Sequence, residues 1–265
     1  MEWFNKYYEG YEPNPEVIGK INDRLSDYEV VIFFGSWCGD SKREVPRFLK
    51  VLDAVSFPDN QLSLIAVSNA DSLKKQSPDG SERQQEIYRV PTFILKRNGV
   101  EMNRIVEYPV TSLERDLLQI MSGSEYVPNY RSFPMLTQWL REGLLSDDNV
   151  SYRGLANQVR STIATEGELH AVAAVLVGRG LEKEAVQLLR MNAYLHPESA
   201  RRKVALARTL HDLGEHEEAA RNLKKALELN DDPRRQDTIL ALWDRIRESQ
   251  SAESAMDDEN SEDEE

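Results

Sequence analysis

Apolar and polar positions along the first half of this chain switch repeatedly between two periods. Val17, Ile18, Ile21 and Leu25 recur at helical spacing and predict a helix within 13–27. The run Val30-Val31-Ile32-Phe33-Phe34 predicts a buried strand over 29–34. Val45, Phe48, Leu49, Leu52 and Val55 share one side of a helix predicted over 42–55. Further strands are predicted at 61–67, 90–95 and 103–106, with a polar loop at 69–80 that ends in Ser77-Pro78-Asp79-Gly80. Arg97-Asn98-Gly99 predicts a tight hairpin between the last two strands. A helix over 111–121 follows, with Thr111 as its cap and Glu114 as the capping-box partner. This order predicts a mixed sheet with helices on both faces.

From about Phe133 the pattern becomes helical throughout. Gly180, Ala185, Leu189 and Leu195 recur 34 residues later as Gly214, Ala219, Leu223 and Leu229. Upstream, Val172 and Leu176 recur as Leu206 and Leu210. The glycine allows a turn between helices, and the alanine allows the paired helices to approach closely. A helix–turn–helix unit of 34 residues resembles the tetratricopeptide repeat. A capping helix is expected over 234–247, and flanking helices at 133–164 are expected to complete the core.

Charge separates a third region. The chain has 265 residues and a net charge of −13. Residues 249–265 hold eight acids and no Lys or Arg, so the remainder is only mildly acidic. The tail lacks the apolar content to fold and is expected to be disordered. No basic cluster suited to nucleic acid is present. No run approaches the ~20 apolar residues of a membrane span. The start, Met1-Glu2-Trp3-Phe4-Asn5-Lys6, predicts no signal peptide, and a single cysteine suits a reducing compartment, here the cytoplasm. The expected organisation is 1–122, an α/β domain; 123–165, connecting helices; 166–248, helical repeats with a capping helix; and 249–265, the acidic tail.

The candidate chemistry lies at Trp37-Cys38-Gly39-Asp40-Ser41, between a strand and a helix. A cysteine there sits at the positive end of the helix, which favours the nucleophilic thiolate. Asp40 places a negative charge beside it, which Lys42 and Arg43 can offset. Cys38 is the one cysteine of the chain, so no internal disulfide can form. It reads either as a reactive thiol or as an inert one inherited with the fold.

Residues 34–41, Pro46, Val90-Pro91-Thr92-Phe93 and the hairpin at 96–99 make residues 15–122 resemble the thioredoxin family. The resemblance implies an α/β thioredoxin-like fold and a cis bond between Val90 and Pro91. It also implies a groove beside Cys38 where an extended peptide pairs with the Val90 backbone. Catalytic roles fall to Cys38 and Ser41, and substrate contacts to Trp37, Gly39, Asp40, Val90, Pro91 and Thr92. Two positions depart from the family. Ser41 replaces the resolving cysteine, which removes intramolecular turnover but leaves a hydroxyl able to hydrogen-bond the thiolate. Ile32 stands where a buried aspartate often assists proton transfer. No cofactor or metal is implied, and the four histidines lack metal-ligand spacing.

The α/β half joined to an all-α tetratricopeptide-like half resembles bacterial thioredoxin-family proteins. The expected function is mixed-disulfide formation through Cys38 with protein or low-molecular-weight thiol partners, resolved by an external thiol. The alternative is a non-catalytic adaptor that binds protein partners through the groove and the repeats. On the repeats, Arg201 and Arg208 are expected to face the concave side. The aromatics Trp3, Phe4, Tyr7, Tyr8 and Tyr11 are expected to pack back on their own domain or to form a partner surface.

Overall fold

The computed structural model describes residues 2–21 and 25–262. The chain divides into two compact units, Met1–Arg131 and Ser132–Glu265. The segment expected to connect the halves is therefore shared. Residues 123–131 belong with the first unit, and the helices after Ser132 belong with the second.

The first unit is built on strands β1 (Tyr28–Phe34), β2 (Leu62–Ala66), β3 (Thr92–Arg97) and β4 (Val100–Val106). They form a mixed sheet in the order β2-β1-β3-β4. β1 pairs parallel with β2 and antiparallel with β3, and β3 pairs antiparallel with β4. Asn98 and Gly99 both have positive φ at the β3–β4 turn, as the hairpin signal requires.

Alternation along β1 divides two packing faces. Tyr28, Val30 and Ile32 point into a core shared with Val17 and Ile21 of α2 (Pro15–Ile21). That core also takes Val45, Phe48, Val51 and Leu52 of α3 (Gly39–Ala54), with Leu113, Leu117 and Ile120 of α4 (Leu113–Met121). The Phe48 and Phe93 rings meet at 4.5 Å within it. Phe33 and Ile94 face the other way, against Val67, Ile87 and Val90. Helices on both faces were expected; instead the second face is covered by the long β2–β3 connection. That connection holds only short 3₁₀ turns, at Asp71–Leu73 and Ser81–Gln84. Its polar composition hid this role. Glu82 is fully buried and accepts from the backbone N–H and hydroxyl of Ser77, which ties the loop to itself.

Three element ends differ from the sequence reading. The helix over 13–27 is shorter: α2 begins after Asn14, whose Oδ1 accepts from the N–H groups of Glu16 and Val17, and residues 22–24 lie outside the described residues. α3 begins at Gly39, directly after Cys38. α4 is capped by Ser112, not Thr111: Ser112 Oγ accepts from the Arg115 N–H. Thr111 instead donates to buried Asp116, while Glu114 accepts from the Tyr11 hydroxyl at 2.6 Å and from the Asn14 N–H. Competition from these tertiary carboxylate contacts displaces the expected capping box.

The N-terminal aromatics return to their own unit. Helix α1 (Glu2–Glu9) lies against α3. Tyr8 donates to Asp53, and Arg47 stacks on Tyr7 and Tyr11 at 5.6 Å each.

The second unit is helical: α5 (Phe133–Arg141), α6 (Tyr152–Val159), α7 (Gly167–Val177), α8 (Glu182–Leu195), α9 (Ala200–Asp212), α10 (His216–Leu229) and α11 (Pro233–Glu262). The α7–α8 and α9–α10 hairpins repeat atom for atom at their turns. Leu181 N–H bonds Leu176 O at 2.9 Å, and 34 residues on Glu215 N–H bonds Leu210 O at 2.9 Å. Gly180 and Gly214 have φ of 73° and 80°, a left-handed conformation that side chains resist. Ala185 and Ala219 are fully buried between the helices.

Composition predicts an unfolded tail from 249, but α11 runs on to Glu262; residues 263–265 lie outside the described residues. Gln250, Ala252, Glu253, Ala255 and Met256 are strong helix formers, and they continue a helix already nucleated over 233–248.

Candidate functional site

The site is organised by Gly35. Its carbonyl accepts from the Cys38 N–H at 2.9 Å, and its own N–H donates to Ser41 Oγ at 3.2 Å. The Trp37 indole folds over it so closely that a Cβ on Gly35 would lie 2.4 Å from the ring. Any larger residue at 35 would displace the indole, and the motif reading did not single this glycine out. Trp37 is fixed further by its Nε1–H donating to Val67 O at 3.0 Å, while the rest of its ring stays exposed.

Cys38 is the N-cap residue of α3, with extended φ and ψ, and its carbonyl accepts from Lys42 N–H at 3.0 Å. Its half-buried thiol donates to Val90 O at 3.2 Å. The Val90–Pro91 peptide is cis, and both residues are buried. The strand end and helix start, 52 residues apart in sequence, thus meet at one sulfur. Gly39 is exposed beside the thiol.

Ser41 belongs to the first turn of α3. It is buried, its oxygen is taken by the Gly35 N–H, and no hydrogen bond joins it to Cys38. Thr92 is likewise turned inward, its hydroxyl donating to Arg89 O at 2.7 Å. Asp40 is paired with Arg43 at 2.6 Å, and Arg43 also bonds buried Glu44. The charge beside the thiol is therefore balanced by Arg43, as the sequence suggested. Ile32 is fully buried in place of an acid.

Charged groups that the motif reading missed lie around Pro91. The Glu107 N–H donates to Pro91 O at 2.7 Å, and its carboxylate binds Arg89 at 3.2 Å and the Tyr130 hydroxyl. Burial and that carboxylate hold the Tyr130 phenol well above its usual range. Arg89 stacks on the Tyr130 ring at 5.2 Å. Lys75, from the β2–β3 connection, is buried with its ammonium 5.9 Å from the Trp37 ring centroid. Burial pushes it down to about 8, with the positive charges of Arg89 and Lys74 acting in the same direction. No spacing rule points to Lys75; only the folded loop brings it here.

In the helical unit, a cavity of about 360 Å³ is lined by Tyr152, Arg190, Tyr194, Lys203, Leu206, Arg221 and others. Arg201 and Arg208, expected on the concave side, do not line it; Lys203 and Leu206 of α9 do. At about 100° per residue, Lys203 and Leu206 lie on the opposite face of α9 from Arg201 and Arg208. His211 and His216 approach with their Nδ1 atoms 3.0 Å apart, although nothing in their spacing marked them as a pair. Among the described residues no cluster of His, Cys, Asp and Glu is arranged to hold a metal ion. No described helix is long and apolar enough to cross a membrane.

The chain is 33% identical over 100 residues to thioredoxin-2, mitochondrial, of Schizosaccharomyces pombe. The match covers 37% of this chain and 68% of that protein. It is 28% identical over 98 residues to thioredoxin-3, mitochondrial, of Saccharomyces cerevisiae, covering 37% of this chain and 66% of the relative. No family model matches the chain.

Proposed function

Because the chain belongs to the thioredoxin family, we propose that it acts as a monothiol exchange protein through Cys38. The Cys38 thiolate attacks one sulfur of a disulfide. A new bond forms between Cys38 and that sulfur, the old disulfide bond breaks, and the leaving thiolate takes a proton from water. An external thiol then attacks the mixed disulfide and frees Cys38. The observation that carries this reading is a thiol held against Val90 O while Ser41, at the resolving position, is engaged with Gly35. The cis-Pro91 groove would take protein disulfides or a low-molecular-weight thiol, in a reducing compartment such as the cytoplasm.

The test is to mix reduced protein with a disulfide reagent and follow adduct mass. Native protein is expected to form a stable one-to-one adduct faster than urea-denatured protein at the same pH. The adduct should persist until an external thiol is added, and Cys38→Ala should form none. Equal rates in native and denatured protein would overturn the proposal.

A second reading is favoured by the repeated hairpins and the cavity on Tyr152, Arg190 and Lys203. These fit tetratricopeptide-like repeats that bind a protein partner, with the thioredoxin-like unit as a second docking surface. Partners captured equally by wild type and Cys38→Ala, with or without reductant, would favour this adaptor role over exchange.

A further inference from the structure

We propose that Lys75 forms a carboxylate subsite beside Cys38, which selects disulfides carrying an anionic group a few bonds from the reacting sulfur. The inference rests on the exchange reading and names the chemistry of the substrate.

Lysine is rarely buried without a partner. Lys75 is only 9% exposed, yet its ammonium makes no hydrogen bond and no ion pair with any described residue. It lies over Trp37, the residue preceding Cys38, and Cys38 is among the groups that act on its charge. Glu107 also acts on it, but that carboxylate is already held by Arg89 and Tyr130. Arg89 and Lys74 add positive charge. Arg89 is paired with Glu107 and Lys74 with Asp71, which leaves Lys75 as the cation of this group with no anionic partner among the described residues.

The loop is built to keep Lys75 in place. Its N–H donates to Ser68 O at 3.0 Å, and Ser68 N–H donates to Gln76 O at 2.9 Å, which clips the loop on both sides of it. A preset, partly desolvated ammonium beside an attacking sulfur can bind a carboxylate on the incoming disulfide without reorganising. Exchange proceeds as above, and the carboxylate is unchanged.

The test compares three small disulfides of similar length: dithiodipropionate, which is anionic, hydroxyethyl disulfide, which is neutral, and cystamine, which is cationic. Rates of adduct formation are measured for wild type, Lys75→Met and Lys75→Arg at one pH and ionic strength. The ratio of anionic to neutral rate is expected to fall about tenfold in Lys75→Met, the size of one charged hydrogen bond, and to survive in Lys75→Arg. An unchanged ratio in Lys75→Met overturns the proposal. So does an equal slowing of all three reagents, which would place the action of Lys75 on Cys38 itself.

Disulfide-linked peptides with Glu or Gln beside the cysteine separate the two sources of carboxylate. A Lys75-dependent preference for Glu assigns the subsite to protein disulfides, and its absence alongside a response to dithiodipropionate assigns it to small thiols. Finally, Cys38→Ser is titrated with dithiodipropionate while the Trp37 indole N–H signal is followed by NMR. A Lys75-dependent shift supports the subsite even if no disulfide reacts with the wild type, in which case only the exchange reading falls. No shift overturns the subsite.

Discussion

Cys38 and Val90 are joined by a hydrogen bond of 3.2 Å from the thiol to the backbone carbonyl. The bond exists only while the sulfur carries a proton. Ionisation or adduct formation releases the Val90 carbonyl, which becomes an acceptor for whatever enters the groove. The state of the sulfur and the backbone edge beside it are therefore linked. One event at Cys38 changes both the thiol and the backbone edge beside it.

Restoring a cysteine at position 41 should return intramolecular resolution. Ser41→Cys keeps the Cys-x-x-Cys spacing at the start of α3, at the cost of the bond from the Gly35 N–H, about 1 kcal/mol. At equal dithiol concentration the variant is expected to turn over faster in a disulfide-reduction assay, because its mixed disulfide is resolved internally, whereas wild type waits for the dithiol to free Cys38. Equal turnover by both proteins would mean that Ser41 does not limit the cycle.

Lys75 gives the chain a pH-dependent stability. Its folded value of about 8 lies below the ordinary 10.5, so between those pH values the unfolded chain holds a proton that the folded chain has released. Stability therefore rises with pH across that window, and the cost of the buried charge is fully present below it. Lys75→Met should raise stability at pH 7 by up to about 3 kcal/mol. The gain should vanish near pH ~11. Urea midpoints at both pH values check this, and an equal gain at the two would rule out the buried charge as its cause.

Asp116 is the polar anchor of the first unit. Fully buried, it accepts from the N–H groups of Val110 and Thr111, the Thr111 hydroxyl and, at 2.9 Å, the Tyr126 hydroxyl. Asp116→Ala leaves several donors unpaired and should cost about 3 kcal/mol or more, whereas Tyr126→Phe should cost about 1. Denaturant titration distinguishes the two magnitudes; similar losses would show that the network does not converge on Asp116.

Gly180→Ala and Gly214→Ala should destabilise by equal amounts, about 1–2 kcal/mol each. A Cβ at either position meets nothing within 4 Å, so the left-handed backbone alone sets the cost. Loss of helical circular dichroism on heating measures it, and a large inequality would mean that the two turns are not equivalent.

The sequence carried the strands, the Asn98-Gly99 turn and the 34-residue repeat because each rests on local periodicity or a local backbone demand. It also carried Cys38 and Pro91, whose residue types and separation mark the family. What it did not carry depends on choices among partners. The Gly35 N–H that donates to Ser41 Oγ is a partner that only the folded turn brings within reach. Thr111 and Ser112 are both competent caps, and the pull of Asp116 on Thr111 decides between them. Lys75 sits in a polar stretch that reads as solvated, and its burial follows from a loop that has to cover Phe33 and Ile94. The helix through 249–262 has no apolar periodicity to signal it and follows from the helix already formed over 233–248.

The matched turns at Gly180 and Gly214 carry a consequence for how this half of the chain can change. The two hairpins turn through the same backbone hydrogen bond, so a 34-residue unit carries its own turn with it when it is duplicated or deleted. The length of the helical half can therefore vary in whole steps through evolution while residues 34–41 and 90–93 stay as they are. The two halves can then change at separate rates within a single polypeptide.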